Sequence, residues 1–520
     1  MKRSEGITLI ALVVTIVMLL ILAGITINTV VGDKGLISRA DAKVQMEIAN
    51  EKEIVARAQM LTVIRSKDTE ISYEIFEPAL QEEAGGNNVE ASDAGDIIDV
   101  LFPDTNRYYE VDKNGNITGP NEVVNDENAG DITKGGRCDG SQEKPYEISY
   151  IEDFVVLANI VNCEGVRIES GKVINVTKDD KKNIEGKNFV LTRNLNFKSK
   201  YSYADSTRTD FGNINGDETD ENTLITEMTT GTGFTSIGYN NTSRFYGNFD
   251  GKNNSINNIF INNINRTVRD GAEGLFGVIE NSKITNLKIN GVIDGGTQIA
   301  GGIVGEVYGR CNIINCTNSC NVKGCSGVGG IIGRVYGSNE NKIIANCYNA
   351  GIICNYEPYA DYAGVGGIIG NSTAYTYVIN CYNEGNVTNN SKKMYAGAGG
   401  IIGSTGNNKA YIWNCCNIAN VSGKYEEGSM IGAYWYSNWI SDIKNCYYLK
   451  GTAKYVIGKE KTTQEYDATE YTEQKMKSVE LVYKLNEYVM TYNKENKDNE
   501  DFIELKYWEE HNNEYPTFKN

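Results

Sequence analysis

Twelve cysteines, one histidine and 68 carboxylates are the residues with which this chain of 520 could do covalent, metal or acid–base chemistry. The lone His511 narrows the field. A zinc helix of the H-E-x-x-H type needs two histidines, and a histidine-based triad would rest on His511 with no G-x-S-x-G elbow to serve it. Glu280, Asp294, Glu306, Glu340, Glu384 and Asp442 fall in different columns of the repeat described below. They do not spell out the paired carboxylates of a polysaccharide-cleaving site. The acidic run Asp217-Glu218-Thr219-Asp220-Glu221 reads as a solvated loop in preference to a calcium site. No catalytic residue, no cofactor and no metal site is expected.

Five cysteines obey a rule. Cys316, Cys347, Cys381, Cys415 and Cys446 each follow an asparagine, and Asn286-Leu287 begins the same series. A column that accepts Leu or Cys is a buried apolar column. These five are expected to stack as free thiols, because side chains in parallel register disfavour the disulfide dihedral. Cys311, Cys316, Cys320 and Cys325 are close enough in sequence to mimic a zinc cluster. Two of them belong to repeat columns, which favours burial over ligation.

The elements that position these columns form a repeat. Gly274-Leu275-Phe276-Gly277, Gly302-Ile303-Val304-Gly305, Gly330-Ile331-Ile332-Gly333, Gly367-Ile368-Ile369-Gly370, Gly400-Ile401-Ile402-Gly403 and Ser429-Met430-Ile431-Gly432 recur at intervals of 28 to 37 residues. Such a period means stacked units, each unable to bury its apolar face alone. β-Branched Ile293, Val322, Ile353, Val387 and Val421 stand seven residues after the first five asparagines. The runs are too short for helices, so one coil per repeat is expected, pairing with the next as parallel strands about 4.8 Å apart. Asn at a corner would pass hydrogen bonds along the stack.

The tetrapeptides resemble the GLUG motif of bacterial surface proteins. Tyr146-Glu147-Ile148 with Asp153-Phe154-Val155-Val156-Leu157-Ala158 is similar to the opening of such domains, Phe189–Leu195 and Phe245–Gly251 to early coils, and Trp508 with Tyr515-Pro516 to a closing segment. The resemblance implies a mainly β fold, a right-handed parallel β-helix or β-solenoid over residues 136–458, with residues 459–520 capping it. Ser429 in place of Gly marks an atypical last coil.

Lys2 and Arg3 precede an uncharged run from Ile7 to Val31. As a helix, 25 residues span about 37 Å, enough for a hydrocarbon core. Basic residues ahead of it predict a single-pass membrane protein with its C-terminal part outside the cell. Arg3-Ser4-Glu5-Gly6-Ile7-Thr8-Leu9-Ile10 resembles a prepilin-type cleavage and methylation segment. That resemblance implies a leader over 1–6, cleavage after Gly6 by a prepilin peptidase, methylation of Ile7, and a transmembrane, pilin-like helix over 7–65. Ala11 stands where that family has the Glu that supports filament assembly. Residues 66–135 read as a linker, Gly-rich over 84–96, with a hairpin turning at Asn114-Gly115.

A net charge of −18 disfavours nucleic acid as a partner. Among 33 tyrosines, Tyr348 and Tyr382 follow the buried column by one residue, so alternation points them outward as candidate ligand contacts. The function expected is that of a membrane-anchored extracellular solenoid in adhesion or structural display. It would meet host or cell-wall glycan or protein. The alternatives are a minor pilin or pseudopilin among pilus or secretion subunits, and a polysaccharide-acting β-helix enzyme.

Overall fold

The computed structural model describes residues 39–520 apart from 67–69, 96, 123–127, 170, 206, 209–222, 264–270, 338–339, 357–362, 407–408, 436–440, 459–465, 500–501 and 520. Gly6, Ile7, the apolar run 7–31 and the acidic run 217–221 lie outside the described residues. Among the described residues no helix is long and apolar enough to cross a membrane. The chain divides into two compact units, 1–125 and 126–520.

In the first unit, helix α1 spans Arg39–Ser66. It buries Ile54, Val55 and Ala58 in a core shared with α2 (Tyr73–Ala84) and the strands that follow. Those are β1 (Glu90–Asp93), β2 (Ile97–Phe102), β3 (Arg107–Asp112) and β4 (Ile117–Glu122), an antiparallel sheet in sequence order. Glu51 of α1 is 3% exposed and receives Arg107 Nη2 at 2.9 Å, Tyr109 Oη at 2.7 Å and Thr105 Oγ1 at 2.6 Å. A buried pair satisfied this fully fixes α1 on β3, and losing one partner costs about 3–5 kcal/mol. Within the stretch read as a linker with a hairpin, Tyr73–Ala84 is a helix ended by Gly85 as its left-handed cap at φ +58°. The hairpin turns where expected, with Asp112 accepting the Asn114 and Asn116 amides at 2.9 and 2.8 Å.

The second unit is a β-solenoid. Parallel strands of successive coils form two six-stranded sheets, a nine-stranded sheet and a twelve-stranded sheet. Register follows the columns read from sequence: Ile293 pairs with Val322, Val322 with Ile353, Ile353 with Val387 and Val387 with Val421. In the early coils, residues 248–250 pair in parallel with 188–190. Inside lies one continuous core, opened by packed rings such as Phe154 with Phe249 at 5.8 Å and Phe245 with Phe276 at 5.1 Å.

The glycine tetrapeptide turns the chain between the two six-stranded sheets. A Cβ on Gly302 would lie 2.2 Å from the Gly330 carbonyl oxygen of the next coil, and one on Gly301 would lie 2.0 Å from Val304 O. No larger residue fits so close an approach. Ser429 is tolerated because the chain beyond it differs: its Oγ donates to Tyr455 O at 3.3 Å.

Helix α3 (Ile151–Asn162) follows the edge strand Tyr146–Ile148 and is almost wholly buried. Asp153 holds its start, accepting amides of Ser149 at 2.9 Å and Gly130 at 2.8 Å and the Lys134 ammonium at 2.8 Å. At the other end of the sequence, helix α4 (Val479–Asn496) and the extended stretch 503–508 lie along the side of the coils. Leu481, Leu485, Val489, Leu505 and Trp508 share a second core with Ile314, Ala345, Ile379, Tyr382 and Cys416. Helix α4 and residues 503–508 thus form a side strap on the coils.

Candidate functional site

Each coil turns at an asparagine with left-handed backbone. Asn286, Asn315, Asn346, Asn380, Asn414 and Asn445 have φ between 50° and 57°. Their carboxamides form a ladder: Nδ2 of Asn315, Asn346, Asn380, Asn414 and Asn445 each donates to Oδ1 of the preceding rung, at 2.6–2.9 Å. Asn tolerates this conformation, and a parallel stack lets each amide satisfy the next. Inside the corner lie Cys316, Cys347, Cys381, Cys415 and Cys446, all fully buried. Each thiol donates to the carbonyl two residues back, at 3.3–3.4 Å. All twelve cysteines are free. Burial pushes the Cys316, Cys381 and Cys446 thiols well above the ordinary range, the opposite of an activated nucleophile.

A second ladder escaped the sequence reading. Asn318, Asn349 and Asn383 each donate at 2.8 Å to the next of Asn349, Asn383 and Asn417. The Asn-Cys-x-Asn spacing carried the signal, and polar residues in a buried column were the clue to follow.

The tyrosine expectation needs correction. Tyr382 does point out of its coil, but the strap covers it: it is 3% exposed with Trp508 edge-on at 5.8 Å. Tyr348 is half-buried, stacked on Tyr382 at 5.3 Å with its hydroxyl on Glu384. A strand column places identical rings face to face, and stacked faces are closed to ligand. Tyr377 and Tyr411, parallel to within 2° at 4.3 Å, behave likewise.

A different patch stays open. Two of the carboxylates assigned to separate columns come together around Tyr308. Glu280 pairs across coils with Tyr308 and binds Arg244 Nη1 at 2.8 Å. The Arg244 guanidinium lies 3.8 Å from the Tyr308 ring centre. Glu306, fully buried, pairs with Arg334 of the next coil. Tyr336 leans on Tyr308 at 5.3 Å and 52° and remains 48% exposed. Burial and the Glu306 charge push the Tyr308 hydroxyl up to about 12. Sequence reasoning missed the cluster because Arg244 precedes the repeat. Glu306-Val307-Tyr308 over Arg334-Val335-Tyr336, opposite charges in one column, was the legible half.

A cleft of about 220 Å³ lies near α3, floored by Tyr146, Val156, Ile160 and Ile168. Its rim charges are already engaged, Arg167 with Asp180 at 2.9 Å and with Glu169 at 2.8 Å. Among the described residues no group of three or more His, Cys, Asp or Glu could hold a metal ion.

No protein-family model matches this chain. No curated protein matches it either. Among solved structures, a Bacteroides ovatus chain provisionally named an immunoglobulin A1 protease is similar over 74% of this chain and 94% of its own, at 19% identity and a TM-score of 0.47.

Proposed function

We propose that this chain is a GLUG-type surface protein, anchored through its prepilin-like N-terminal segment and displaying the solenoid outside the cell for adhesion or structural display. The observation that carries the reading is the stack of about six coils with an interior filled by apolar, thiol and amide ladders. Chemistry is left to the outer faces, and an elongated repeat surface suits contact along its length. The uncharged run 7–31 and Gly6-Ile7 supply the anchor in this proposal.

The minor-pilin alternative draws on α1, a long helix held on a sheet of its own by Glu51 and Arg107. Ala11 weighs against it. The polysaccharide-lyase alternative would look to Tyr308, yet a hydroxyl with its pKa near 12 is a poor base at neutral pH.

The test is made on intact cells. N-terminal sequencing should find a start at Ile7, Gly6→Asp should block processing, and surface proteolysis should remove epitopes of residues 126–520. A start near Gly24, or epitopes shielded until the cells are broken, would sink the anchored-display reading. Recovery of the chain in sheared filaments would move it to the pilin alternative.

A further inference from the structure

We propose that the patch of Arg244, Glu280, Tyr308, Arg334 and Tyr336 binds a neutral sugar chain, one ring stacking on Tyr336 while vicinal hydroxyls meet the Arg244 and Arg334 guanidiniums and the Glu280 carboxylate. The inference rests on the surface-display reading and names the ligand class for it.

Tyr336 differs from the other outward tyrosines in what its neighbour leaves uncovered. Tyr377 and Tyr411 lie flat on one another at 2°, and Tyr348 on Tyr382 at 18°. At 52° to Tyr308, with the Arg334 guanidinium 5.5 Å from its ring centre, Tyr336 is not stacked flat on its neighbour and is 48% exposed. An aromatic face takes the C–H side of a sugar ring as it takes any flat apolar surface.

The arginines beside it are held in place. The carboxylate of Glu306 is fully buried in the sheet, so Arg334 is gripped from below while its side chain remains 28% exposed. Arg244 is fixed by Glu280 at 2.8 Å, by Asn241 Oδ1 at 3.2 Å and by the Tyr308 ring. A guanidinium has five N–H donors in a rigid fork, and one carboxylate does not use them all. Glu280, about a quarter exposed, adds an acceptor. Donor forks and an acceptor already held in place can take sugar hydroxyls at little ordering cost on binding.

Charge selects against the other partners. Arg244 with Glu280 and Arg334 with Glu306 cancel in pairs. An anionic chain would have to compete with carboxylates already seated, one of them buried, and would approach a molecule of net charge −18. A protein partner calls for a broad apolar centre around its aromatic anchor. Tyr336 is bordered by Arg334 and Tyr308.

The experiment uses the full chain in detergent on an array of neutral and anionic glycans, with hits titrated by calorimetry. At least one neutral oligosaccharide should bind. Tyr336→Ser and Arg334→Ala should each weaken it tenfold or more, Tyr336→Phe should bind as wild type, and Tyr377→Ser on another sheet should have no effect. Circular dichroism shows that each variant is folded. Binding of anionic glycans alone, binding of none, or neutral-sugar binding indifferent to Tyr336 and Arg334 would overturn the proposal. The display reading is judged separately: if cells carrying Tyr336→Ser still adhere and expose residues 126–520, the sugar site falls and display stands.

Discussion

Asn380→Ala should destabilise the solenoid far more than one lost side-chain amide suggests. Asn380 is fully buried with φ +55°, and it serves two structures at once. Along the ladder its Nδ2 donates to Asn346 at 2.8 Å and its Oδ1 accepts from Asn414 at 2.7 Å. Toward the strap, Nδ2 donates to Lys506 O at 2.9 Å and Oδ1 accepts Trp508 Nε1 at 2.7 Å. Four hydrogen bonds at about 1 kcal/mol net each set the first term. Alanine in left-handed backbone adds about 1 kcal/mol. Asn346 Oδ1 keeps Lys506 N at 3.0 Å and Asn414 Nδ2 keeps Leu485 O at 3.3 Å, which softens the ladder side. Buried Trp508 Nε1 has no such second partner among the described residues, and its desolvation adds about 1–2 kcal/mol. With the ladder side softened by about 1 kcal/mol, the total is roughly 5–6 kcal/mol. Asn286→Ala is the comparison, since among the described residues the Asn286 side chain makes only ladder bonds, to Asp250 at 2.9 Å and from Asn315 at 2.8 Å, and it should lose about 2–3 kcal/mol. Denaturant unfolding followed by Trp fluorescence and by hydrogen exchange of residues 479–508 reads both. Asn380→Gly should recover about 1 kcal/mol, the backbone share. Equal losses at Asn380 and Asn286, or unchanged exchange in the strap, would refute the idea that one residue ties strap to ladder.

Other outcomes follow from buried groups. Cys381→Val should change stability by less than about 1.5 kcal/mol, since its column holds Leu287 in the first coil, whereas Cys381→Asp should prevent folding of the adjacent coils. Calorimetric melting of both variants checks this. Lys342 is fully buried in a column with Cys311 and Thr376, its ammonium donating to Glu340 O at 2.8 Å, and burial lowers its pKa. Lys342→Met should stabilise by roughly 1–3 kcal/mol, and wild-type stability should rise with pH as this group loses its proton, below the titration range of a free lysine. Glu152, fully buried with the Asp205 amide at 2.9 Å, is pushed up to about 7 by burial. Its folded pKa lies above the unfolded value, so its penalty is absent at low pH and grows between about pH 4.5 and 7. Melting curves across that window should flatten in Glu152→Gln.

The coils were legible because each residue in a column sees the same neighbours one coil away, so local chemistry repeats as sequence. Asn at the corner, Cys behind it and Val or Ile seven residues on all read correctly for that reason. The strap was not legible. Leu481, Leu485 and Trp508 share a core with residues of five coils, from Ile314 to Tyr447, and nothing in their own spacing says which face they cover. Tyr382 failed with them: alternation gave its direction, while its burial depends on the strap. Glu280 and Glu306 looked scattered because columns record position within a coil and leave out Arg244, which reaches in from before the first repeat.

The strap also acts as a ruler. Its backbone is pinned at Asn346 and Asn380 by Glu504 and Lys506, and at Asn414 and Asn445 by Leu485 and Lys484. A coil gained or lost between those rungs would throw every pin out of step with the fixed length of α4. Rung Asn286 lies ahead of the pinned stretch and ahead of Ile314, the first coil residue in the strap's core, so duplication there lengthens the stack without disturbing the measure. Growth by repeat duplication in proteins of this design should therefore be uneven, with variable coil number toward the N-terminal end and constant number under the helix.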